Sequence, residues 1–252
     1  MSDVVTVEEA ADGVALVVMA DREHKNTFTD DLVFGLGDAF RQIGSDKRFR
    51  AVVLTGYGSY FCSGGTREAL LEIQAGNATF IRDEGQPNVY ALPLDCPVPV
   101  VSALQGHAIG GGLAMGLFAD FVILARESVY TANFMKYGFT PGFGSTLVFP
   151  AKLGSNLGHE FLLTARTFRG AELAARGIPF PVHARADVLP TALNLARNLA
   201  EKPRDSLVTL KDHLVRDLRE RLPQTVEEEL AMHEITFHQP EVRDLLMSRY
   251  GK

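Results

Sequence analysis

Three short runs constrain what this chain folds into more than anything else in it. Ala51-Val52-Val53-Leu54-Thr55-Gly56, Val98-Pro99-Val100-Val101-Ser102-Ala103-Leu104 and Phe121-Val122-Ile123-Leu124-Ala125 are apolar at nearly every position instead of every second one. A strand with one wet face alternates; a strand apolar throughout is covered on both faces, as in a parallel sheet whose crossovers are helices. The chain opens differently. Val4-Val5-Thr6-Val7 and the run from Val14 to Met19 are rich in β-branched residues and flank the turn former Ala11-Asp12-Gly13, which predicts a hairpin. Thr29 then offers a helix N-cap with Asp30 and Asp31 behind it, and Val33, Leu36, Phe40 and Ile43 follow at helical spacing. Strands and helices alternating in this way predict α/β layers joined by right-handed crossovers.

From about Gly142 the strand signals fade. Helical spacing is read at 153–163, 170–176, 190–200, 205–218 and 225–237, with Pro223 and Pro240 expected to set the last of these apart as a separate element. No internal repeat, low-complexity tract or flexible linker is visible, so one folding unit with a helical C-terminal part is expected. The stretch 72–93 is the least regular and is expected to be a flap over a site. A net charge of −6 argues against general attraction to nucleic acid or anionic lipid, although a local basic patch would still hold an acidic partner. No apolar run reaches the roughly 18 residues of a membrane span, and the N-terminus lacks a signal-peptide layout, so a cytoplasmic location is expected. Two cysteines, Cys62 and Cys96, provide neither a disulfide framework nor a zinc set.

Two places join an apolar strand, a glycine cluster and a helix: Phe61-Cys62-Ser63-Gly64-Gly65-Thr66 and Gly106-His107-Ala108-Ile109-Gly110-Gly111-Gly112-Leu113. Each delivers backbone N–H groups with no side chain in the way, and Gly111 falls near a helix start, where free amides favour negative charge. Glycines also serve tight turns and close helix packing, so a purely structural use stands beside this one. Neither turn matches a dinucleotide fingerprint or a P-loop. Two amide sources converging on one point suit a single oxygen such as that of a thioester enolate.

These two segments, the hairpin start, Thr140-Pro141-Gly142-Phe143-Gly144-Ser145-Thr146 and the helical last third together resemble the enoyl-CoA hydratase/isomerase (crotonase) superfamily over essentially the whole chain. The resemblance implies a repeated ββα spiral core over residues 1–195 and a C-terminal helical region over 196–252 that serves trimerisation and the active site. It implies trimers or dimers of trimers, and an oxyanion hole made by the N–H groups of Gly65 and Gly111. A hydratase of this family has one glutamate three residues after the second oxyanion glycine and another seven before the Pro-Gly turn; here Ala114 and Phe134 stand in those places. Neither moves a proton, so water addition is disfavoured on chemical grounds.

Decarboxylation fits what remains. A carboxylate one vinyl unit from an unsaturated thioester leaves as CO2 when its electrons pass to the thioester oxygen, and an apolar wall of Ala114 and Phe134 removes the repulsion a catalytic carboxylate would exert. The step then needs a proton donor. On the last helix Val226, Leu230, His233 and Phe237 form one inward stripe in which a histidine replaces an apolar residue, while His238 lies about 100° off it. A satisfied core histidine is the plain alternative for His233; a proton donor near neutral pH is the functional one.

The run from Phe61 through Glu68, the segment from Ala132 through Gly142 and the ending Met232-His233-Glu234-Ile235-Thr236-Phe237-His238 resemble, within the superfamily, the decarboxylases of polyketide β-branching cassettes. That resemblance implies conversion of 3-methylglutaconyl-acyl carrier protein to 3-methylcrotonyl-acyl carrier protein, with His233 as proton donor and no cofactor, the thioester being the electron sink. Some members also use a Tyr and a Lys after the first oxyanion turn; the corresponding residues 69–81 contain neither. Lys136 and Arg67 are the candidates for holding the leaving carboxylate, each also readable as a surface residue, and Tyr137 is a candidate substrate-binding hydrogen-bond donor with no spacing argument behind it. Tyr90 is a further possible donor, His107 is expected to pack under the turn, and Cys62 is expected to act as a small hydrophobe. A crotonase isomerase, hydratase or thioester hydrolase, and a non-catalytic thioester-binding scaffold, are the alternatives.

Overall fold

A computed structural model describes residues 3–78 and 88–250. In chain order its elements are β1 (Val5–Ala11), β2 (Val14–Met19), α1 (Asp30–Ser45), β3 (Ala51–Thr55), β4 (Tyr60–Cys62), α2 (Arg67–Gln74), α3 (Leu92–Asp95), β5 (Val100–Leu104), β6 (His107–Ile109), α4 (Gly111–Leu117), β7 (Phe121–Ala125) and β8 (Val129–Thr131). A 3-10 turn at Met135–Tyr137 follows, then α5 (Ser145–Leu153), α6 (Ser155–Thr164), β9 (Phe168–Arg169), α7 (Gly170–Ala175), β10 (Val182–His183), α8 (Arg185–Ala200), α9 (Arg204–Thr236) and α10 (Pro240–Arg249).

Among the described residues the strands form two sheets, ordered β1-β2-β3-β5-β7-β10 and β4-β6-β8-β9. The hairpin β1–β2 is antiparallel and every other pairing in the larger sheet is parallel. The apolar runs explain why. In β3, β5 and β7, Val52, Val100 and Val122 face one core cluster, whereas Val53, Val101 and Ile123 face a second. Both faces are dry, as apolar strands without alternation require. The second face is closed by α8, whose Val188, Ala192, Ala196 and Ala200 lie at four-residue spacing and bring the helix close over the sheet.

A spiral is built into the connections. From β3, β5 and β7 in the larger sheet the chain passes directly to β4, β6 and β8 in the smaller one, so each turn repeats the same two-strand step. No sequence repeat marks this, because buried apolar strands need only bulk and β-propensity. The hairpin, α1 with its Thr29 cap, and the three parallel runs fall where the sequence placed them. The smaller sheet is new: its strands of two or three residues are too short to show a pattern.

Two expectations about the C-terminal part change. Pro223 does not interrupt the last helix: α9 runs unbroken through it for 33 residues. An interior proline costs about 3 kcal/mol, and α9 is anchored on both sides of it. Lys211 Nζ is buried 2.8 Å from Asp120 Oδ2, 2.9 Å from the Pro93 carbonyl and 3.1 Å from that of Val98. On the other side, Glu229 accepts from the Gly144 and Thr146 amides at 2.7 and 2.8 Å and from Thr146 Oγ1 at 2.7 Å. The division expected at 195/196 falls inside α8, which belongs to the core, so the helical extension begins with α9. Of the flap expected at 72–93, residues 79–87 lie outside the described residues, as do 79–81 of the stretch compared for a Tyr and a Lys; the rest ends α2 and begins α3.

Candidate active site

The loop after β2 holds the first glycine turn. Asn26 is fully buried, and its Nδ2 donates to the carbonyls of Met19 (3.0 Å) and Phe61 (2.9 Å). The Phe28 amide donates to the Gly64 carbonyl at 2.8 Å. Gly64 sits at φ +81°, and a Cβ there would lie 2.8 Å from the Ile109 carbonyl oxygen and 3.5 Å from the Gly111 nitrogen. Only a glycine lets the two turns approach this closely. Gly110, at φ +55°, caps α4, and Gly111 is its first residue, so its amide lacks an intrahelical partner. Among the described residues neither the Gly65 nor the Gly111 amide donates to a protein acceptor. Both line one cavity of about 540 Å³. The Gly65 carbonyl is held from behind by the Tyr250 hydroxyl.

His233 lines the same cavity and is 5% exposed. Its Nε2–H donates to the Thr140 carbonyl at 2.9 Å, and the rings of Phe139 and Phe237 stand edge-on to it at 6.3 and 5.8 Å. Burial pushes its pKa down, while the carbonyls of Thr140 and Pro141 and the charge of Glu234 pull the other way. A Cβ on Gly142 would lie 2.7 Å from His233 Cε1, so the Pro-Gly turn exists in this form to let the ring in.

Phe134, Lys136 and Tyr137 also line the cavity. Phe134 meets Phe139 edge-on at 6.1 Å. Tyr137 is stacked between Phe139 at 6.3 Å and Tyr250 at 5.7 Å, receives Asn133 Nδ2 at 3.4 Å, and has its pKa raised by burial. Lys136 is half-buried, with Nζ 5.8 Å from the Tyr137 ring centre. Arg67 and Ala114 are not among the lining residues. Arg67 opens α2 and turns its guanidinium to Met247 Sδ on α10, 3.2 Å away, where a first-turn side chain reaches the neighbouring helix. Ala114 is wholly buried one turn into α4, inside the core.

His107 is in the cavity wall instead of under the turn, because Ala108 takes the inward position of β6 and His107 and Ile109 take the other face. Tyr90 packs edge-on against Phe143 at 5.3 Å and borders a narrow cleft beside Gly142 and His233. The Cys62 thiol donates to the Asn26 carbonyl, and burial pushes its pKa up to about 12, which leaves an inert small hydrophobe. Asn26, Asn133, Glu229 and Tyr250 had no part in the sequence reading. Glu229 was detectable, since it shares the inward face of α9 with Val226 and His233; Tyr250 stands outside any periodic segment and left no signal.

Glu23, exposed on the loop after β2, is the one acidic side chain in the cavity lining among the described residues. Two amides free to receive a developing oxyanion, an inner wall of aromatic rings and a histidine able to carry a proton define a site for thioester enolate chemistry without a carboxylate base. Residues 9–251 match the enoyl-CoA hydratase/isomerase family, and the chain belongs to it. Within that family it is 56% identical to the bacillaene synthase decarboxylase PksI of Bacillus subtilis (strain 168), over 98% of both chains. It superposes with a TM-score of 0.96, at 55% identity and over 99% of this chain and 97% of the other, on a structure from a dehydratase/decarboxylase enzyme couple of polyketide β-branching. The ECH2 decarboxylase domain of CurF from Lyngbya majuscula follows at a TM-score of 0.93 and 42% identity, over 98% and 99%. A probable enoyl-CoA hydratase of Mycobacterium tuberculosis (strain ATCC 25618 / H37Rv) is 30% identical over 79% of this chain and 76% of its own.

Proposed function

We propose that the substrate of this crotonase-family decarboxylase is 3-methylglutaconyl-acyl carrier protein and its product 3-methylcrotonyl-acyl carrier protein. The thioester oxygen takes the Gly65 and Gly111 amides. The bond between the terminal carboxylate and the γ carbon breaks, CO2 leaves, and the electron pair spreads through the diene to that oxygen. His233 delivers a proton to the γ carbon and the electrons return, leaving the conjugated thioester. Lys136 and Tyr137, on the turn that lines the inner wall, hold the departing carboxylate; Phe134 keeps that wall dry, which strengthens every charge interaction inside it. Ala114, buried behind the wall, acts by omission, since it puts no acid where a hydratase has one. Arg67 has a lesser claim, its guanidinium being turned towards α10.

The observation that carries this reading is the meeting in one cavity of His233 and two glycine amides that, among the described residues, have no protein acceptor, with the exposed Glu23 the one carboxylate in the described lining. The exposed Arg22 and Lys25 stack on Tyr57 and Tyr60, of which Lys25 and Tyr60 line the cavity, and give an acidic carrier protein basic groups to meet. The chain works as a homotrimer or dimer of trimers, with α9 and α10 in the subunit contacts. The test is intact-protein mass spectrometry of carrier protein loaded with 3-methylglutaconate. Loss of one CO2 is expected. A freed acid, an added or lost water, or an unchanged adduct would overturn the assignment.

A further inference from the structure

His107 faces the cavity with a nitrogen that the reaction as proposed leaves idle. The Val129 amide donates to its Nδ1 at 3.1 Å, so that nitrogen is the acceptor and the neutral ring carries its proton on Nε2. Burial, with the charges of Arg185 and Arg169 behind it, pushes the pKa down and keeps the ring neutral. Tyr60, paired with His107 across β4 and β6, stands edge-on at 5.6 Å and limits how the ring can turn. Among the described residues no protein acceptor meets Nε2–H. The result is a donor of fixed tautomer and fixed direction on a cavity wall.

Its place along that wall identifies what it meets. Going back from Gly111 along β6, the cavity face shows Ile109 and then His107, with Tyr60 paired beside His107 and the exposed Lys25 over the Tyr60 ring, also lining the cavity. At about 3.3 Å per residue, His107 lies at most about 13 Å from Gly111 in backbone terms. In the proposed reaction the acyl group lies with His233, Phe134 and Tyr137, which line the cavity from α9 and the turn after β8 and not from β6. The part of a carrier-bound thioester that runs from the oxyanion hole past His107 to solvent is the pantetheine arm. That arm carries two amide carbonyls within about 12 Å of the thioester carbon when extended.

We propose that His107 is a positioning residue for the arm, its Nε2–H donating to an amide carbonyl of pantetheine. The inference rests on the thioester reading given above. The test uses His107→Asn and His107→Gln with 3-methylglutaconyl-pantetheine and with the shorter N-acetylcysteamine thioester, which has only the inner amide. Asn keeps an acceptor where Nδ1 was and so preserves the Val129 contact; Gln keeps a donor where Nε2 was. His107→Asn is expected to raise KM for the pantetheine thioester about 3- to 10-fold, the worth of one hydrogen bond, at unchanged kcat. His107→Gln is expected to stay within about 2-fold of the parent, because the donor is retained. A rise confined to the pantetheine thioester assigns the outer amide, and a rise with both thioesters the inner one. The reverse order, with Gln impaired and Asn normal, or a fall in kcat alone, overturns the proposal in favour of a structural role. Failure of the parent enzyme to decarboxylate either thioester would instead sink the reading on which the proposal stands.

Discussion

At the scale of single residues the site is governed by what surrounds His233. Its imidazole is buried against Phe139 and Phe237, and burial disfavours the charged form. With His233 as the proposed proton donor, the imidazolium of the free enzyme is lost as pH rises through a pKa below the ordinary histidine value, and kcat/KM is expected to fall across that range. Bound substrate adds a carboxylate and then a dienolate beside the ring, which favours the imidazolium and carries kcat to higher pH than kcat/KM. Both profiles from one set of initial rates check this, and His233→Gln is expected to be slow and to lose that limb while substrate still binds. The same burial makes folding favour the neutral ring, so its contribution to stability is present above the unfolded-state pKa and is lost as pH falls towards the folded-state one. Gly142 offers an independent probe. With a Cβ placed 2.7 Å from His233 Cε1, Gly142→Ala forces the ring aside. A displacement of about 1 Å costs up to about 100-fold in rate, against about 1–3 kcal/mol in stability for overpacking. Thermal unfolding beside kcat separates the two, and parent-like turnover in a folded Gly142→Ala protein would remove His233 from the proton transfer.

At the scale of elements, the site is made by ends and approaches more than by any one long element. In the proposed site the start of α4 supplies one oxyanion donor and the turn after β4 the other; Asn26 and Gly64 bring the two segments together. The donor at Gly111 is separable from the packing there. Proline is tolerated at the first position of a helix, so Gly111→Pro deletes the N–H without breaking α4. Any Cβ at this position meets Phe28 at 3.0 Å and Phe143 at 3.2 Å, so bulk alone has a cost, and Gly111→Ala measures it with the N–H retained. Relative to Gly111→Ala, Gly111→Pro is expected to lose a further 10²–10³ in kcat, the usual worth of one oxyanion donor. Equal rates in the two variants would show that the amide does not touch the reacting oxygen. Glu229 belongs to this scale as well: by accepting from the amides at the start of α5 it fixes α9 one turn before His233, which sets the depth of the ring in the cavity.

At the scale of the whole molecule, what was legible in the sequence follows from which forces are periodic. The parallel sheet rests on unbroken apolar runs, and the first helix and the inward stripe carrying His233 on apolar residues at helical spacing; each is found where those patterns put it. The two glycine turns were legible because few other sequences free a backbone amide. The smaller sheet, the unbroken α9 and the clamp made by Tyr250 were not, since each depends on contacts between residues far apart in the chain: Tyr250 meets Gly65, and Lys211 meets Asp120. The contact of Arg67 with Met247 was hidden for the same reason, as nothing near it in sequence announces α10. The long helix also leaves a surface to account for. Leu210 and Leu214, one turn apart on α9, are 56% and 70% exposed in the isolated chain, and the proposed trimer would bury them in a subunit contact. A second copy of this chain is the occupant expected for a trimer built on the C-terminal helices. Light scattering should then give three or six times the 27.5 kDa of one chain. The double substitution Leu210→Glu and Leu214→Glu should reduce that mass to one chain, because it buries two charges per subunit in each contact. An assembled mass that survives the double substitution would place the subunit contacts elsewhere on the molecule, and a single-chain mass in the parent protein would remove the trimer altogether.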